Sequence, residues 1–249
     1  MAKTLSRNAV RDFYDRFGAR QDRQGFYEDV VLDALIELGE FSSARAVFEL
    51  GCGTGRLAAR LLADHLPSSA RYVGVDLSST MVSLARDRLA PFGDRCEVRL
   101  TDGEFHISSH GGLFDRFVST YVLDLLSITD IQHCLIEAHT AMLQGGLFCH
   151  AGLTKGTTPI SRIASALWNV IHRIKPTLVG GCRPLTLCDL LPDEQWRVVA
   201  RKTLVSSGIP SEVVIAERVI TNHTRDIRVR SPSNLSTSSS PVERSGGHG

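Results

Sequence analysis

The stretch Val47-Phe48-Glu49-Leu50-Gly51-Cys52-Gly53-Thr54-Gly55-Arg56-Leu57 decides the fold of this chain. Its apolar first half carries an acidic residue near its end, enters a turn with glycine at alternate positions, and leaves as a predicted helix. Glycine lets the backbone turn sharply and approach a ligand without interference from a Cβ atom. The unpaired N–H groups at the start of the helix point toward that ligand.

The charge beside this loop indicates which ligand it suits. The dinucleotide-binding pattern G-x-G-x-x-G is not matched, because Arg56 occupies the position of its third glycine. Glu49 would repel a pyrophosphate, but it suits a ligand that carries an ammonium or sulfonium charge. The stretch therefore predicts a site for a cationic nucleoside.

Composition bounds the class of protein. The 249 residues suffice for one α/β domain with a full core, and 43% of them are hydrophobic. A net charge of +1 gives no reason to expect a nucleic-acid partner. Six cysteines without a C-x-x-C pair predict reduced thiols in the cytoplasm. The N-terminus lacks the apolar core of a signal peptide, and we expect no transmembrane segment.

The order of predicted elements divides the chain into three parts. Residues 1–43 predict an N-terminal helical cap, which Gly18 and Gly25 break into pieces. Residues 44–220 alternate strands with helices, which predicts βαβ units, a mainly parallel sheet and an antiparallel pair at its edge. An insertion over about 155–192 interrupts this domain, and the Ser/Pro/Gly-rich residues 221–249 predict a disordered tail. The predicted strands are 45–50, 71–76, 96–101, 114–120, 147–153, 196–205 and 212–220.

Polar side chains follow successive strands of this predicted sheet. In an open α/β sheet, ligands bind outside the carboxyl ends of the strands. Asp76 ends the second strand and could accept hydrogen bonds from ribose hydroxyls, while Leu77 and Met81 are placed to cover an adenine face. Asp102 ends the third strand and could accept a hydrogen bond from an exocyclic amine.

Five motifs in order give the chain a family resemblance over roughly residues 10–220. They are E-x-G-x-G-x-G at 49–55, G-V-D-x-S at 74–78, Asp102 before Gly103, F-D-x-F-V-S at 114–119 and L-Q-G-G-L at 143–147. This pattern resembles the class I S-adenosylmethionine-dependent methyltransferases, in particular the small-molecule ubiquinone/menaquinone-methyltransferase type. The resemblance implies a Rossmann-like, seven-stranded, mainly parallel sheet with an antiparallel last strand and helices on both faces. It also implies S-adenosylmethionine as cofactor.

The resemblance assigns roles to the residues of these motifs. The glycines would pack against the methionine portion, Glu49 would engage its ammonium, Asp76 would hold the ribose, and Asp102 would bind the adenine amine. The full set of predicted cofactor-binding residues is Glu49, Gly51, Cys52, Gly53, Gly55, Asp76, Leu77, Met81, Asp102, Gly103 and Ser119.

Four side chains are candidates for catalysis. Tyr14 resembles the tyrosine of an N-terminal helix that closes over the cofactor, although a core aromatic residue is an alternative interpretation. Tyr121 and Asp124 follow the fourth strand, where they could face the substrate or could pack and cap a helix. His150 could act as a general base, or it could be a core histidine.

The insertion bears on the acceptor, and the histidines and cysteines bear on a metal site. The insertion carries Trp168 and many Ile and Leu residues, which indicates a lid over a small, apolar acceptor. Peripheral membrane contact through Arg162, Arg173 and Lys175 is a second interpretation, and packing against the sheet is favoured over it. We expect no metal, because the spacing of the histidines and cysteines at 133, 134, 139, 149 and 150 forms no compact ligand set.

Two other functions remain open. A non-catalytic S-adenosylmethionine-binding regulatory domain would have the same motifs. A nicotinamide-dependent oxidoreductase is disfavoured by Arg56 in the loop and by the lack of a Tyr-x-x-x-Lys pair.

Overall fold

A computed structural model describes residues 4–110, 112–156, 170 and 181–220. Five helices of this part position the site, and a 3₁₀ segment, Gly18–Gln24, joins the first two. They are α1 (Arg7–Phe17), α2 (Gly25–Leu38), α3 (Arg56–Arg60, continued by the π-helical turn Leu61–His65), α4 (Ser79–Leu89) and α5 (Ile128–Ala141). The strands are β1 (Ala46–Leu50), β2 (Arg71–Asp76), β3 (Cys96–Leu100), β4 (Phe114–Thr120), β5 (Met142–Leu153), β6 (Trp196–Ser206) and β7 (Ile209–Arg218).

The strands form one seven-stranded sheet in the order β3-β2-β1-β4-β5-β7-β6. The strand pairs β3–β2, β2–β1, β1–β4 and β4–β5 are parallel, and β7 is antiparallel to its neighbours β5 and β6. The predicted Rossmann-like sheet with an antiparallel last strand is therefore confirmed. Strand order reverses between β1 and β4, and a reversal of this kind opens a crevice at the carboxyl ends of the two strands.

Helices cover both faces of the sheet, as predicted. Neighbouring residues of a strand point to opposite faces, so Val47 and Phe48 enter different cores. Val47 packs in the core that contains the buried side chains of α2, α3 and α4. Phe48 packs in the core of α5, where its ring stacks on Phe117 at a centroid distance of 5.4 Å.

Two strand boundaries differ from the prediction. β5 begins at Met142 rather than at 147, because a register shift between the pairs of Phe114 and Arg116 accommodates residues 143–146. The loop predicted between β6 and β7 shrinks to Ser207 and Gly208, whose φ values are +51° and +79°. Positive φ at both central residues is typical of a two-residue hairpin turn, so the strands extend to the turn itself.

Some predictions fall on residues that the structure does not describe. The insertion is described at 155–156, 170 and 181–192, so the lid residue Trp168 and the basic residues Arg162, Arg173 and Lys175 lie outside the described part. The tail, 221–249, also lies outside it. Among the described residues, no helix has the length and apolar character needed to cross a bilayer.

Gly55 begins α3 in close contact with α4. Its φ is +74°, and a Cβ atom there would lie 3.1 Å from Ala85 Cα and 3.2 Å from Ala85 Cβ. Gly208 also has a positive φ, but no atom lies within 4 Å of the position of its Cβ. Substitutions at these two glycines therefore distinguish the energetic cost of backbone strain from that of steric overlap.

We expect Gly55→Ala to lower the free energy of unfolding by about 3 kcal/mol, because it adds overlap with α4 to the strain of a left-handed residue. Gly208→Ala is the matched control, and its strain alone should cost about 1 kcal/mol. Urea unfolding monitored by circular dichroism measures both values. Equal losses in the two variants would contradict the packing role of Gly55.

Candidate functional site

The loop after β1 is fastened to the end of β2. The backbone N–H groups of Gly51 and Cys52 donate to Val75 O at 2.8 and 3.0 Å. The N–H of Gly53 donates to Asp76 Oδ2 at 2.9 Å. These bonds fix the loop at the strand ends where a ligand is expected to bind.

Asp76 joins this loop to the start of α4. Its Oδ1 accepts from the N–H of Ser78 at 2.9 Å, and Ser78 Oγ in turn caps α4 by accepting from Met81 N at 3.2 Å. Burial raises the pKa of Asp76, while the backbone hydrogen bonds oppose that shift. A carboxylate has about four lone-pair sites, and the N–H groups of Gly53, Leu77 and Ser78 occupy three of those of Asp76, so at least one remains for a ligand hydroxyl.

A cavity of about 320 Å³ lies above the loop, enclosed by α1, the start of α2 and the carboxyl ends of the strands. Its size falls at the lower end of the range for cofactor pockets, about 300–1,000 Å³. The structure brings nine predicted site residues together in its wall. They are Tyr14, Glu49, Gly51, Cys52, Gly53, Asp76, Leu77, Gly103 and Tyr121.

Glu49 is the acid of this wall that lies deepest beside the loop. Its side chain is 1% exposed and accepts a hydrogen bond from the Tyr72 hydroxyl at 2.6 Å. Burial raises the pKa of Glu49 to about 7, and the bond from Tyr72 opposes this shift. A buried acid with this pKa becomes ionised when a cation binds nearby.

The remaining predicted cofactor residues do not line the cavity. Gly55 faces Ala85, as described above, and Met81 is a fully buried residue of the first turn of α4. Asp102 is exposed, and its Oδ1 accepts from the N–H of Glu104 at 2.9 Å within its own turn. Ser119 is fully buried, and its Oγ has no hydrogen-bond partner among the described residues.

Two candidate catalytic residues lie behind the cavity wall rather than in it. Asp124 is fully buried and its Oδ2 accepts from Leu153 N at 2.6 Å, while burial raises its pKa to about 8. His150 is also buried, its Nδ1 lies 3.2 Å from Ser119 O, and burial lowers its pKa to about 4. The geometry therefore does not support direct contact of either group with an acceptor. Within the described ranges, no three His, Cys, Asp or Glu side chains lie close enough to share a metal ion.

The contacts that hold α1 over the cavity were not predicted from the sequence. Val10 and Tyr14 of α1 pack half-buried against the cluster of Leu125, Leu153 and Cys182, and polar contacts also fasten the helix. Arg7 pairs with Glu104 beyond β3 and lies 3.6 Å from Asp130 of α5. Asp15 accepts from Ser78 Oγ at 2.5 Å, which ties α1 to the cap of α4. Hydrophobic periodicity does not reveal contacts of this kind.

Gln21 and Glu28 also line the cavity without having been predicted. Gln21 packs against Gly53, and its Oε1 is buried with no hydrogen-bond partner in the described part of the chain. Glu28 is 8% exposed. It shares a helix face with the buried residues Val31 and Leu32, and an acid on an apolar helical stripe is the signal that could have identified it.

The cavity therefore combines a glycine loop, a buried acid and a free lone pair at the switch point of a Rossmann-like sheet. Comparison with known proteins agrees with this arrangement. A family described as a methyltransferase domain matches residues 47–146. A ubiquinone/menaquinone biosynthesis C-methyltransferase of Geobacter sulfurreducens is 28% identical over 156 residues, which is 61% of this chain and 58% of that protein. The chain thus spans less than two thirds of this curated relative.

Solved structures share the fold at low sequence identity. The N-methyltransferase NodS of Bradyrhizobium japonicum WM9, in complex with S-adenosylhomocysteine, superposes with a TM-score of 0.57 and 17% identity over 77% of this chain and 87% of NodS. The magnesium protoporphyrin IX methyltransferase of Synechocystis PCC 6803, with the same ligand bound, gives 0.63 and 16% identity over 86% of this chain and 100% of that structure. These likenesses show the fold, and over residues 47–146 the chain is similar to the methyltransferase domain family.

Proposed function

We propose that this protein transfers a methyl group from S-adenosylmethionine to a small, mainly apolar acceptor. The observation that carries the proposal is the buried Glu49 beside the glycine loop, in an enclosed cavity that Asp76 also lines. The curated relative is a C-methyltransferase, and two structural neighbours hold S-adenosylhomocysteine, which supports the same chemistry.

The chain's own groups fit the proposed cofactor. Glu49 and the unpartnered Oε1 of Gln21 provide acceptors for its ammonium group at the loop. Asp76 offers a lone pair to a ribose hydroxyl. Leu77 and Gly103 form the wall where the adenine would lie, on the β2 and β3 side of the cavity.

S-adenosylmethionine supplies an electrophilic methyl group on a positively charged sulfur, so the protein's task is to align the acceptor and exclude water. Phe13 and Phe17 of α1 cover the cavity. Tyr121 is held in the wall at φ +56° by its N–H bond to Ala151 O at 2.8 Å. Burial raises the pKa of Tyr14 and of Tyr121, so both phenols stay neutral and act by positioning rather than as bases.

The proposal extends to the surroundings of the protein. Six free cysteines support a reducing, cytoplasmic compartment. Small molecules rather than nucleic acids are the proposed partners, in keeping with the enclosed cavity and the net charge of +1. Contact with a membrane surface would involve the basic residues of the insertion, which lie outside the described part.

We expect label from methyl-labelled S-adenosylmethionine to enter a small-molecule product when the protein is incubated with a metabolite extract. Mass spectrometry of the extract detects the product, and the Asp76→Ala variant is the negative control. Binding of S-adenosylhomocysteine without any label transfer would favour the regulatory-domain alternative. Binding of a nicotinamide dinucleotide instead would favour an oxidoreductase.

Asp76 and Asp102 can be distinguished by binding. We expect Asp76→Ala to weaken S-adenosylhomocysteine binding about a hundredfold, because hydrogen bonds to a charged group are lost. Asp102→Ala should change the affinity less than about threefold, because its carboxyl is exposed outside the cavity. Isothermal titration calorimetry measures both affinities.

Thermal unfolding of each variant checks that the fold survives, since Asp76 also holds Gly53. A large loss of affinity in Asp102→Ala would instead support the adenine-binding role that the resemblance implies.

Affinity for S-adenosylhomocysteine should rise about tenfold between pH 6 and pH 8. The pKa of Glu49 is raised to about 7, so the carboxyl is mostly neutral at pH 6 and mostly ionised at pH 8. Only the ionised form attracts the ligand's ammonium group. Calorimetry across this pH range measures the change.

Two variants control this experiment. Glu49→Gln should bind weakly at every pH, with no rise. Tyr72→Phe should move the midpoint to higher pH, because the hydrogen bond from Tyr72 lowers the pKa of Glu49. An unchanged pH profile in Glu49→Gln would rule out Glu49 as the titrating group.

A further inference from the structure

The inner end of the cavity contains three tyrosines and one acid. Tyr14 comes from α1, Tyr27 and Glu28 from α2, and Tyr121 from the end of β4, and all four line the cavity. The rings of Tyr27 and Tyr121 meet edge to face, with centroids 5.9 Å apart. Glu28 lies close enough to raise the pKa of each of the three phenols by charge repulsion, after the larger effect of burial. We call these residues the tyrosine–glutamate cluster.

The charge of this cluster is negative. Arg56 lies 3.2 Å from Glu28, but its other terminal nitrogen pairs with Asp29 at 2.6 Å, so one guanidinium serves two acids. Among the described residues, six acidic and three arginine side chains line the cavity. A carboxylate or phosphate acceptor would therefore be repelled, whereas a cationic acceptor would be attracted.

Tyrosine rings and a carboxylate are the groups that proteins use to hold an organic cation. The same wall carries Leu32, Leu125 and Leu153, which suit an apolar body. Resting on the function proposed above, we propose that the tyrosine–glutamate cluster binds an acceptor amine carried on an apolar body, and that Glu28 receives its proton.

The proton step follows from the chemistry of an amine. A protonated amine has no lone pair, so the proton passes first to the Glu28 carboxylate. The nitrogen lone pair then forms the N–C bond to the methyl group while the S–C bond breaks, and its electron pair stays on sulfur. The methylated product is an ammonium ion, and Glu28 returns its proton to solvent. Burial raises the pKa of Glu28 to about 7, which suits a proton acceptor at neutral pH.

Glu28 also has a structural alternative, namely that it only holds Arg56 and the Tyr27 hydroxyl, and a glutamine at this position keeps an acceptor for Tyr27. Asp29 provides the matched control, because it pairs with the same guanidinium and is exposed outside the cavity. A structural role predicts similar effects of Glu28→Gln and Asp29→Asn. A role toward the acceptor predicts an effect of Glu28→Gln alone.

The test uses the full-length protein saturated with S-adenosylhomocysteine, titrated with 2-phenylethylamine and with 2-phenylethanol. We expect the amine to bind at least about tenfold more tightly than the alcohol, since only the amine carries a charge. Glu28→Gln should remove this preference, and Asp29→Asn should retain it. Repeating the amine titration in buffers of different ionisation enthalpy should show protons released as Glu28 ionises.

Each outcome of these titrations either supports or overturns the proposed role of the tyrosine–glutamate cluster. Equal affinity for the two probes, or an amine preference that survives in Glu28→Gln, overturns this inference while saturation with S-adenosylhomocysteine leaves the proposed function standing. If S-adenosylhomocysteine does not bind to the wild-type protein when saturation is attempted, the proposed function itself is overturned. If Glu28→Gln does not fold, the wild-type preference and its proton release still decide, and their absence refutes the inference.

Discussion

The hydrogen bond from Gly53 to Asp76 is the interaction on which the rest of the site depends. It joins the loop after β1 to the end of β2, and through Ser78 it extends to the first turn of α4. These bonds keep the loop against β2, and Glu49 beside it lies in the wall of the cavity. One carboxylate thus shapes the binding surface and also offers a lone pair to a ligand.

Burial of acids gives this cavity its chemical character. Glu49 and Glu28 both have pKa values raised to about 7, and burial is the main cause in each case. Nearby groups oppose the shift, Tyr72 for the first acid and Arg56 and Tyr27 for the second. The apolar surroundings therefore place both acids near half-ionisation at neutral pH, where a bound cation would favour the ionised form.

The fold could be predicted from sequence because each element carries a local signal. The glycines at 51, 53 and 55 mark the turn after β1, and strand–helix alternation marks the parallel sheet. Residues at strand ends were harder to place, since their side chains alternate between faces. His150 and Asp124 therefore lie behind the wall that their sequence positions indicated.

Other parts of the site depend on contacts that no local pattern encodes. Glu28 is the exception, since its place on the apolar stripe of α2 with Val31 and Leu32 is a local signal. The carboxyl of Asp102 accepts a hydrogen bond from the N–H of Glu104, a contact set by the local backbone of residues 102–104. The ion pairs of α1 join positions nearly one hundred residues apart, as Arg7 and Glu104 show.

The way in which α1 is attached separates opening of the cavity from unfolding of the domain. Its contacts combine ion pairs and hydrogen bonds of Arg7 and Asp15 with half-buried packing of Val10 and Tyr14. Detachment of α1 would expose the cavity and uncover the small cluster of Leu125, Leu153 and Cys182, while the two cores on the faces of the sheet, which contain no α1 residue, stay packed. Under the proposed function, cofactor exchange would need only the local opening of one helix, which salt would favour by screening its ion pairs.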